Sequence, residues 1–378
     1  MTLAIVSSRY PRPGHEAFLE TELRGLARHF DSILVLPARD ALFAPATLLD
    51  ALRTACAHPK KTLGILQTLL FGGTRPAVVA KNLAILPRAL AISRIVAEQG
   101  IDHIHAYWLS APATVAFVAA EICGIPWSAS AHRWDIYERN LLRPKARSAR
   151  FFRTISRRGQ RDLGVALAEN GRKVAHVKLG VEMPRIGARQ ATACLRMVCA
   201  ANLIEQKGHA VLLDALALLA KRGIDFHCEI AGSGPLFERL RRRILELGLA
   251  ARVALLGRVP HDALLERLRS GDYDVAVLAS RSDGVANMEG IPVALIEAMA
   301  AGVPCVATAS GSIGELIDAQ SGIVVPVDDA GAFAGALERL AQNPDLRLRL
   351  GENARRRVGE EFNLERTAAQ LANLIVAS

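Results

Sequence analysis

Met288-Glu289-Gly290-Ile291-Pro292-Val293-Ala294-Leu295-Ile296-Glu297-Ala298-Met299-Ala300-Ala301-Gly302-Val303-Pro304 combines a turn, a helix and two carboxylates in one short unit. The run Asp274 to Ala279 precedes it and reads as a strand; Asp283-Gly284 and Glu289-Gly290 bound the loop between. Pro292 stands where a first helical turn tolerates it, because the N–H it lacks would have no partner there. Val293 to Ala301 are helix formers or apolar, and Gly302 with Pro304 ends the helix. Glu289 is therefore expected just before a helix N-terminus. The N–H groups of Gly290 and Ile291 would be unpaired there and would suit a phosphate. Glu297 falls one to two turns into the helix among apolar residues, where a carboxylate needs a polar partner. The ordinary alternative is a pair of solvent-facing glutamates, since most Glu are exposed; the apolar flanks of Glu297 argue against it.

The same strand–loop–helix alternation continues in both directions. Leu3–Ser7, Ser32–Pro37, His103–Ala106, Trp127–Ala131, Arg153–Ile155 and His176–Lys178 have strand length in the first half. Arg196–Ala200, Phe226–Ala231, Val253–Leu256, Val275–Ala279, Val303–Ala307 and Gly322–Pro326 have it in the second. Helical stretches separate them, which predicts an α/β fold with a doubly wound parallel sheet in each half. The expected domains are 1–187 and 188–378, with the last helix a candidate to cross back to the first. Ligand loops belong at the carboxyl ends of the strands. The apolar segment Arg39–Leu86, with Lys60, Lys61, Arg75 and Lys81 interspersed, reads as helices inserted in the first domain.

At 378 residues the chain exceeds one ordinary core. Its hydrophobic content of 51% and charged content of 22% argue against disorder. No apolar run of the roughly 18 residues that span a bilayer is expected, and the start lacks the features of a signal peptide. The six cysteines form no C-x-x-C pair and read as reduced thiols, which points to the cytoplasm. No metal site is expected. The net charge of +10 is uneven: residues 1–187 hold 26 Lys and Arg against 14 Asp and Glu, residues 188–378 hold 21 against 23. The first half is thus expected to face something anionic. Nucleic acid is disfavoured because aromatics, at 5%, are too few to interleave with the basic residues.

Three further stretches place polar groups at strand ends. Lys207-Gly208 follows the strand Arg196–Ala200, where a lysine can meet a diphosphate as a point charge. Gly232-Ser233-Gly234 follows Phe226–Ala231; without a third glycine at the dinucleotide spacing it does not favour NAD. His132 and Asp135 follow Trp127–Ala131, and a histidine there is by default a satisfied structural residue. His105, Ser156 and the loop Pro13-Gly14-His15-Glu16 are weaker candidates.

The stretch 288–304 resembles, nearly residue for residue, the donor-binding signature of the retaining glycosyltransferases of family 4, of the GT-B type (glycosyl transferases group 1). The resemblance extends over Leu195–Leu316 and more loosely over Ile101–Ser156. It implies two Rossmann-like domains facing a cleft and transfer of a sugar from a nucleotide-diphosphate sugar to an acceptor, without metal or cofactor. It implies catalytic roles for His132 and Glu289. It implies donor contacts from Lys207, Gly232, Gly234, Arg258, Val259, Gly290, Ile291 and Glu297, the last on the ribose. Asn202 stands where the family has an arginine, so one of two expected diphosphate cations is missing. The expected partners are a nucleotide-sugar donor, a sugar or lipid-linked acceptor and an anionic membrane surface, the protein being cytoplasmic and peripheral at the inner membrane face. A nucleotide-sugar epimerase or a phosphorylase is the alternative within the same architecture, although no pyridoxal-phosphate lysine context is visible.

Overall fold

The computed structural model describes residues 1–11, 17–72, 75–187, 192–282, 284 and 288–377. The loop Pro13–Glu16 and Asp283 lie outside them. The chain divides into two units, Met1–Leu179 with Glu365–Ser378, and Gly180–Leu364.

The first unit carries six parallel strands: β1 (Thr2–Ser7), β2 (Ser32–Pro37), β3 (His103–Tyr107), β4 (Trp127–Ala131), β5 (Phe152–Thr154) and β6 (Val174–His176). Their order is β2-β1-β3-β4-β5-β6. Helices α1 (Ala17–Leu26), α2 (Pro45–Ala57), α3 (Pro59–Phe71), α4 (Pro76–Glu98), α5 (Ala111–Cys123), α6 (Trp134–Glu138), α7 (Leu142–Ser148) and α8 (Arg157–Leu167) connect them. Strand alternation sends neighbouring residues to opposite faces. Ala4 and Val6 of β1 join the core under α4 and α5, while Leu3 and Ile5 join a second core with Leu19 and Leu26 of α1. Both faces of the sheet are therefore dry, which is why its strands are continuous apolar runs.

The inserted segment forms α2, α3 and the start of α4. One expectation needs correction: α4, with 23 residues, is long and apolar enough to cross a membrane. Here it packs against α2, α3 and α5. Its buried Asn82 donates from Nδ2 to Asn140 Oδ1 at 2.9 Å and accepts from Thr114 at 3.1 Å.

The second unit has a parallel sheet of β7 (Leu195–Ala200), β8 (Phe226–Ala231), β9 (Val253–Gly257), β10 (Val275–Leu278), β11 (Cys305–Thr308) and β12 (Gly322–Val325). Their order is β12-β11-β10-β7-β8-β9. Helices α9 (His209–Lys221), α10 (Phe237–Glu246), α11 (His261–Arg269), α12 (Val293–Ala300), α13 (Ile313–Leu316), α14 (Ala330–Gln342) and α15 (Pro344–Glu361) cover it. The junction falls at 179/180 rather than 187/188. The reason is local: Val181 bridges Asn363, and Arg355 of α15 donates to the Pro184 carbonyl at 2.7 Å. The final helix α16 (Leu364–Val376) inserts Ala368, Leu371 and Ile375 into the core of the first unit. All six cysteines are free; Cys199, Cys228 and Cys305 are buried and Cys56 is exposed.

In each sheet the winding direction reverses once, between β1 and β3 and between β7 and β10. Open α/β sheets form ligand crevices at such points, outside the carboxyl ends of the strands.

Beneath the first of these points lies a buried polar lattice. Arg153 of β5 meets Glu22 of α1 at 2.6 Å, both essentially inaccessible to solvent. Its guanidinium also donates to the Val177 and Lys178 carbonyls at 2.8 and 2.7 Å. His103, Ser128, His105 and Ser130 continue the chain at 2.7 to 2.9 Å. Removing one partner of such a pair leaves an uncompensated charge. Arg153→Met is therefore expected to cost about 3–5 kcal/mol, and Arg153→Met/Glu22→Met to recover much of it. All three tryptophans (Trp108, Trp127, Trp134) belong to this unit, so urea unfolding followed by tryptophan fluorescence reads it selectively.

Candidate functional site

The loops after β7 and β10 meet at the second switch point. Glu289 is 7% exposed. Its Oε2 accepts from Lys207 Nζ at 2.6 Å and from Ser280 Oγ at 2.7 Å. Burial pushes its carboxyl pKa up, but the charge and hydrogen bond of Lys207, with Ser280 and the Gly290 N–H, outweigh burial and hold it below its ordinary 4.5. Lys207 and Glu289, expected as separate donor contacts, thus form one ion pair. The Gly290 N–H, expected to be unpaired, is turned to this carboxylate.

The Glu289 backbone is fixed by a third loop, the one after β11. Its N–H donates to Ser310 Oγ at 3.1 Å, and its carbonyl accepts from the Ser312 N–H at 3.1 Å. Gly311 makes this possible: with φ at +59°, a Cβ there would lie 1.9 Å from the Glu289 carbonyl oxygen. Gly208 plays the same part beside Lys207, at φ +64° with the Ala279 carbonyl oxygen 1.8 Å from an added Cβ. Gln206 completes the frame, donating to the Met288 carbonyl at 3.0 Å and accepting from the Arg281 N–H at 2.9 Å.

Loops after β7, β8 and β9 are knitted together beside this pair. Gly232 and Gly234 pack against the Ala201 and Leu203 carbonyls, where a Cβ would come within 1.9 and 2.4 Å. The Gly232 N–H donates to the Gly257 carbonyl at 2.8 Å, which ties the Gly-x-Gly loop to the end of β9 just before Arg258 and Val259. Arg258 is exposed and Val259 half-buried. The exposed Asn202 is pinned through its carbonyl, 3.0 Å from His209 Nε2. His209 is buried, and its pKa is lowered chiefly by that burial.

Helix α12 begins at Val293 with Pro292 as its N-cap, and Ile291 is buried in the core beneath. Glu297 does have a polar partner: its Oε1 lies 2.7 Å from His261 Nε2 at the start of α11. No local signal in the sequence pointed to His261, because the contact joins residues 36 apart. Ser280, Gln206 and Ser310 were missed for the same reason. The Ser-Gly-Ser at 310–312, just beyond a strand, was the one clue that could have found the third loop.

In the first unit His132 directly follows β4, next to the other switch point. It is 7% exposed, and neither ring nitrogen has a hydrogen-bond partner among the described residues. Its ring packs 4.1 Å from Trp108 and 5.4 Å from Phe18, centroid to centroid. Burial first, and then the Arg153 charge, push its pKa down to about 3, so the imidazole is neutral at neutral pH. Its backbone is held by Asp135, which also receives the Leu109 and Arg133 N–H groups at 2.9 and 2.7 Å. Burial leaves the Asp135 carboxyl raised in spite of these donors. His105 is consumed by the buried lattice, and Ser156 caps α8 by accepting from the Gly159 N–H at 3.0 Å. Among the described residues no group of three His, Cys, Asp or Glu is placed to hold a metal ion.

Residues 195–357 match the model of the family described as glycosyl transferases group 1, a span that lies within the second unit. Architecture and neighbours agree: the fold is GT-B, two parallel-sheet α/β units. The crystal structure of Anabaena HepE in complex with UDP superimposes with a TM-score of 0.73 over 100% of both chains, at 17% identity. That of sucrose-phosphate synthase from Thermosynechococcus elongatus does so with 0.72 over 100% of both, at 18%.

Two relatives share more sequence. The putative colanic acid biosynthesis glycosyltransferase WcaL of Escherichia coli is 37% identical over 210 residues, 54% of this chain and 51% of that protein. The amylovoran biosynthesis glycosyltransferase AmsK of Erwinia amylovora is 34% identical over 225 residues, 58% and 54% respectively. The chain spans about half the length of the curated relatives it matches.

Lys207→Met should expose the energetics of the ion pair. A carboxyl depressed in the folded state contributes stability that is full above its unfolded pKa and is lost as pH falls through the folded one. Without Lys207, burial dominates and the Glu289 pKa rises. The variant's deficit is therefore expected to be largest at neutral pH, about 3 kcal/mol. It should shrink as pH falls through the interval around 4.5 that separates the two carboxyls. Calorimetric unfolding of both proteins across this range checks it; a deficit independent of pH would mean that the two groups are not coupled.

Proposed function

We propose that the protein transfers a sugar from a nucleotide-diphosphate sugar to an acceptor, with retention at the anomeric carbon as in family 4, in the synthesis of a cell-surface polysaccharide or glycolipid. The observation that carries this reading is the Lys207–Glu289 pair, set by three loops at the β7/β10 switch point inside the stretch that matches the group 1 family. The names of WcaL and AmsK support the polysaccharide side of it.

In this reading the glycosyl C–O bond to the diphosphate breaks, the acceptor oxygen forms the new bond, and the acceptor proton leaves on the diphosphate. No side-chain nucleophile is required; the protein stabilises the departing charge. Lys207 can do this without releasing Glu289, because an ammonium has three donors and only one is used on Oε2. Arg281 supplies a second cation where Asn202 has none: its backbone adjoins the Lys207 loop, and its side chain is held by Asp328 at 2.8 Å. Glu289 would orient sugar hydroxyls. Glu297, with Oε1 on His261, would offer its other oxygen to the ribose. His132 explains itself as a sugar contact: a buried imidazole with unsatisfied nitrogens wants a hydroxyl partner.

A panel of UDP-, GDP- and ADP-sugars tests the reading by thermal shift, followed by NMR of the product's anomeric configuration. An inverted product would overturn retention, and no stabilisation by any of them would overturn donor binding. Glu297→Ala is expected to weaken nucleotide binding by roughly 1.5–3 kcal/mol, the worth of a hydrogen bond to a charged group, as read by titration calorimetry. Unchanged affinity in the folded variant would remove the ribose role. Asn202→Arg is expected to keep or raise donor affinity; weaker binding of the nucleotide diphosphate would show that this loop does not face it.

A further inference from the structure

A cavity of about 680 Å³ opens on the first unit between the C-terminal end of α3 and helices α7 and α8. Arg139, Arg143 and Arg147 line it, one at the end of α6 and two a turn apart on α7. All three are exposed, and among the described residues none of their guanidinium groups makes an ion pair or hydrogen bond. Six arginines of the second unit differ: Arg196, Arg222, Arg239, Arg243, Arg267 and Arg281 all hold carboxylates. The cavity's one carboxylate, Asp162, is already engaged by Tyr137 at 2.5 Å and Arg158 at 3.8 Å. Three guanidiniums thus line a concave surface whose one carboxylate is already paired elsewhere, a geometry suited to the oxygens of a phosphate.

The rim shows which phosphate. Phe71 and Val165, both lining the cavity, are 82% and 83% exposed. Leu63 and Leu70, two turns apart on α3, are exposed as well, while Ile65 and Leu69 of the same helix are buried. Among the described residues, seven of the twelve large exposed hydrophobic side chains fall between positions 43 and 71, so the apolar surface is concentrated on the inserted helices of the first unit. A free anion would have no use for it. At a membrane interface, aromatic and aliphatic side chains sit at the acyl boundary while cations meet headgroups.

We propose that this cavity seats the phosphate of an anionic phospholipid headgroup, with Phe71, Val165 and the outer face of α3 entering the interfacial layer. The site is independent of the glycosyl-transfer reading, and its test measures binding alone. The full chain is sedimented with phosphatidylcholine vesicles with and without phosphatidylglycerol. Retention is expected only with the anionic lipid and should weaken with salt. Arg139→Ala/Arg143→Ala/Arg147→Ala is expected to lower the partition coefficient roughly a hundredfold, about fivefold for each basic residue near such a surface. Arg241→Ala/Arg242→Ala/Arg349→Ala removes the same charge from the second unit and is expected to have little effect. An equal loss there would mean that retention reports net charge, and the site falls. Phe71→Ser, at an exposed position that leaves the fold intact, is expected to weaken retention even in high salt. Inorganic phosphate at constant ionic strength distinguishes the sources: displacement by low millimolar phosphate identifies a free-anion site and overturns the proposal. RNA bound through the same arginines, with no vesicle retention, overturns it equally.

Discussion

A carboxylate withdrawn from water must keep a cation and donors beside it, and the second unit is arranged around meeting that demand for Glu289. Lys207 comes from the loop after β7, Ser280 from the loop after β10 and Ser310 from the loop after β11. These strands are neighbours only because the winding direction reverses between β7 and β10. Had the sheet wound in one direction, the three loops would not share one mouth. Gly208 and Gly311 let two of the loops approach to distances that no side-chain-bearing residue permits. The ion pair therefore depends on strand order, and the candidate donor site depends on the ion pair.

The first unit meets a similar demand differently. Arg153 and Glu22 neutralise each other in the dark of the core, and the His–Ser chain across β3 and β4 satisfies the polar groups around them. His132 stands at the edge of this lattice and is left out of it. Burial and the Arg153 charge keep it neutral, so it can exchange hydrogen bonds with a ligand without changing charge near neutral pH.

Charge is divided along the same line. The second unit engages several of its arginines internally, on carboxylates and carbonyls. The first unit leaves several uncommitted, next to the apolar edge formed by the inserted helices. The sequence showed this as an imbalance of charge between its halves, but an imbalance has no location. Only the packing of α3 against the neighbourhood of α7 and α8 gathers Phe71 and three arginines, 68 or more residues away in the chain, around one cavity.

Much of the architecture was legible from residues 274–304 outward. Apolar runs of strand length alternating with helical stretches imply parallel sheets, because a strand reaches its parallel neighbour only through a crossover, usually a helix. The positions of Lys207, Glu289 and the Gly-x-Gly loop at strand ends followed from Gly and Pro punctuation, which is local chemistry. What the sequence withheld is every contact whose partners are remote. Glu297 needed a polar neighbour, and burial alone said so, but nothing within its helix named His261. Lys207 and Glu289 both looked like ligand contacts, and only the fold shows that they hold each other. By itself the sequence determined which segments are strands and helices and which loops carry polar groups, since these depend on residues a few positions apart. Which of those groups meet, and which are left without a partner, was decided by the order of strands in the two sheets, because that order alone sets distances between residues far apart in the chain.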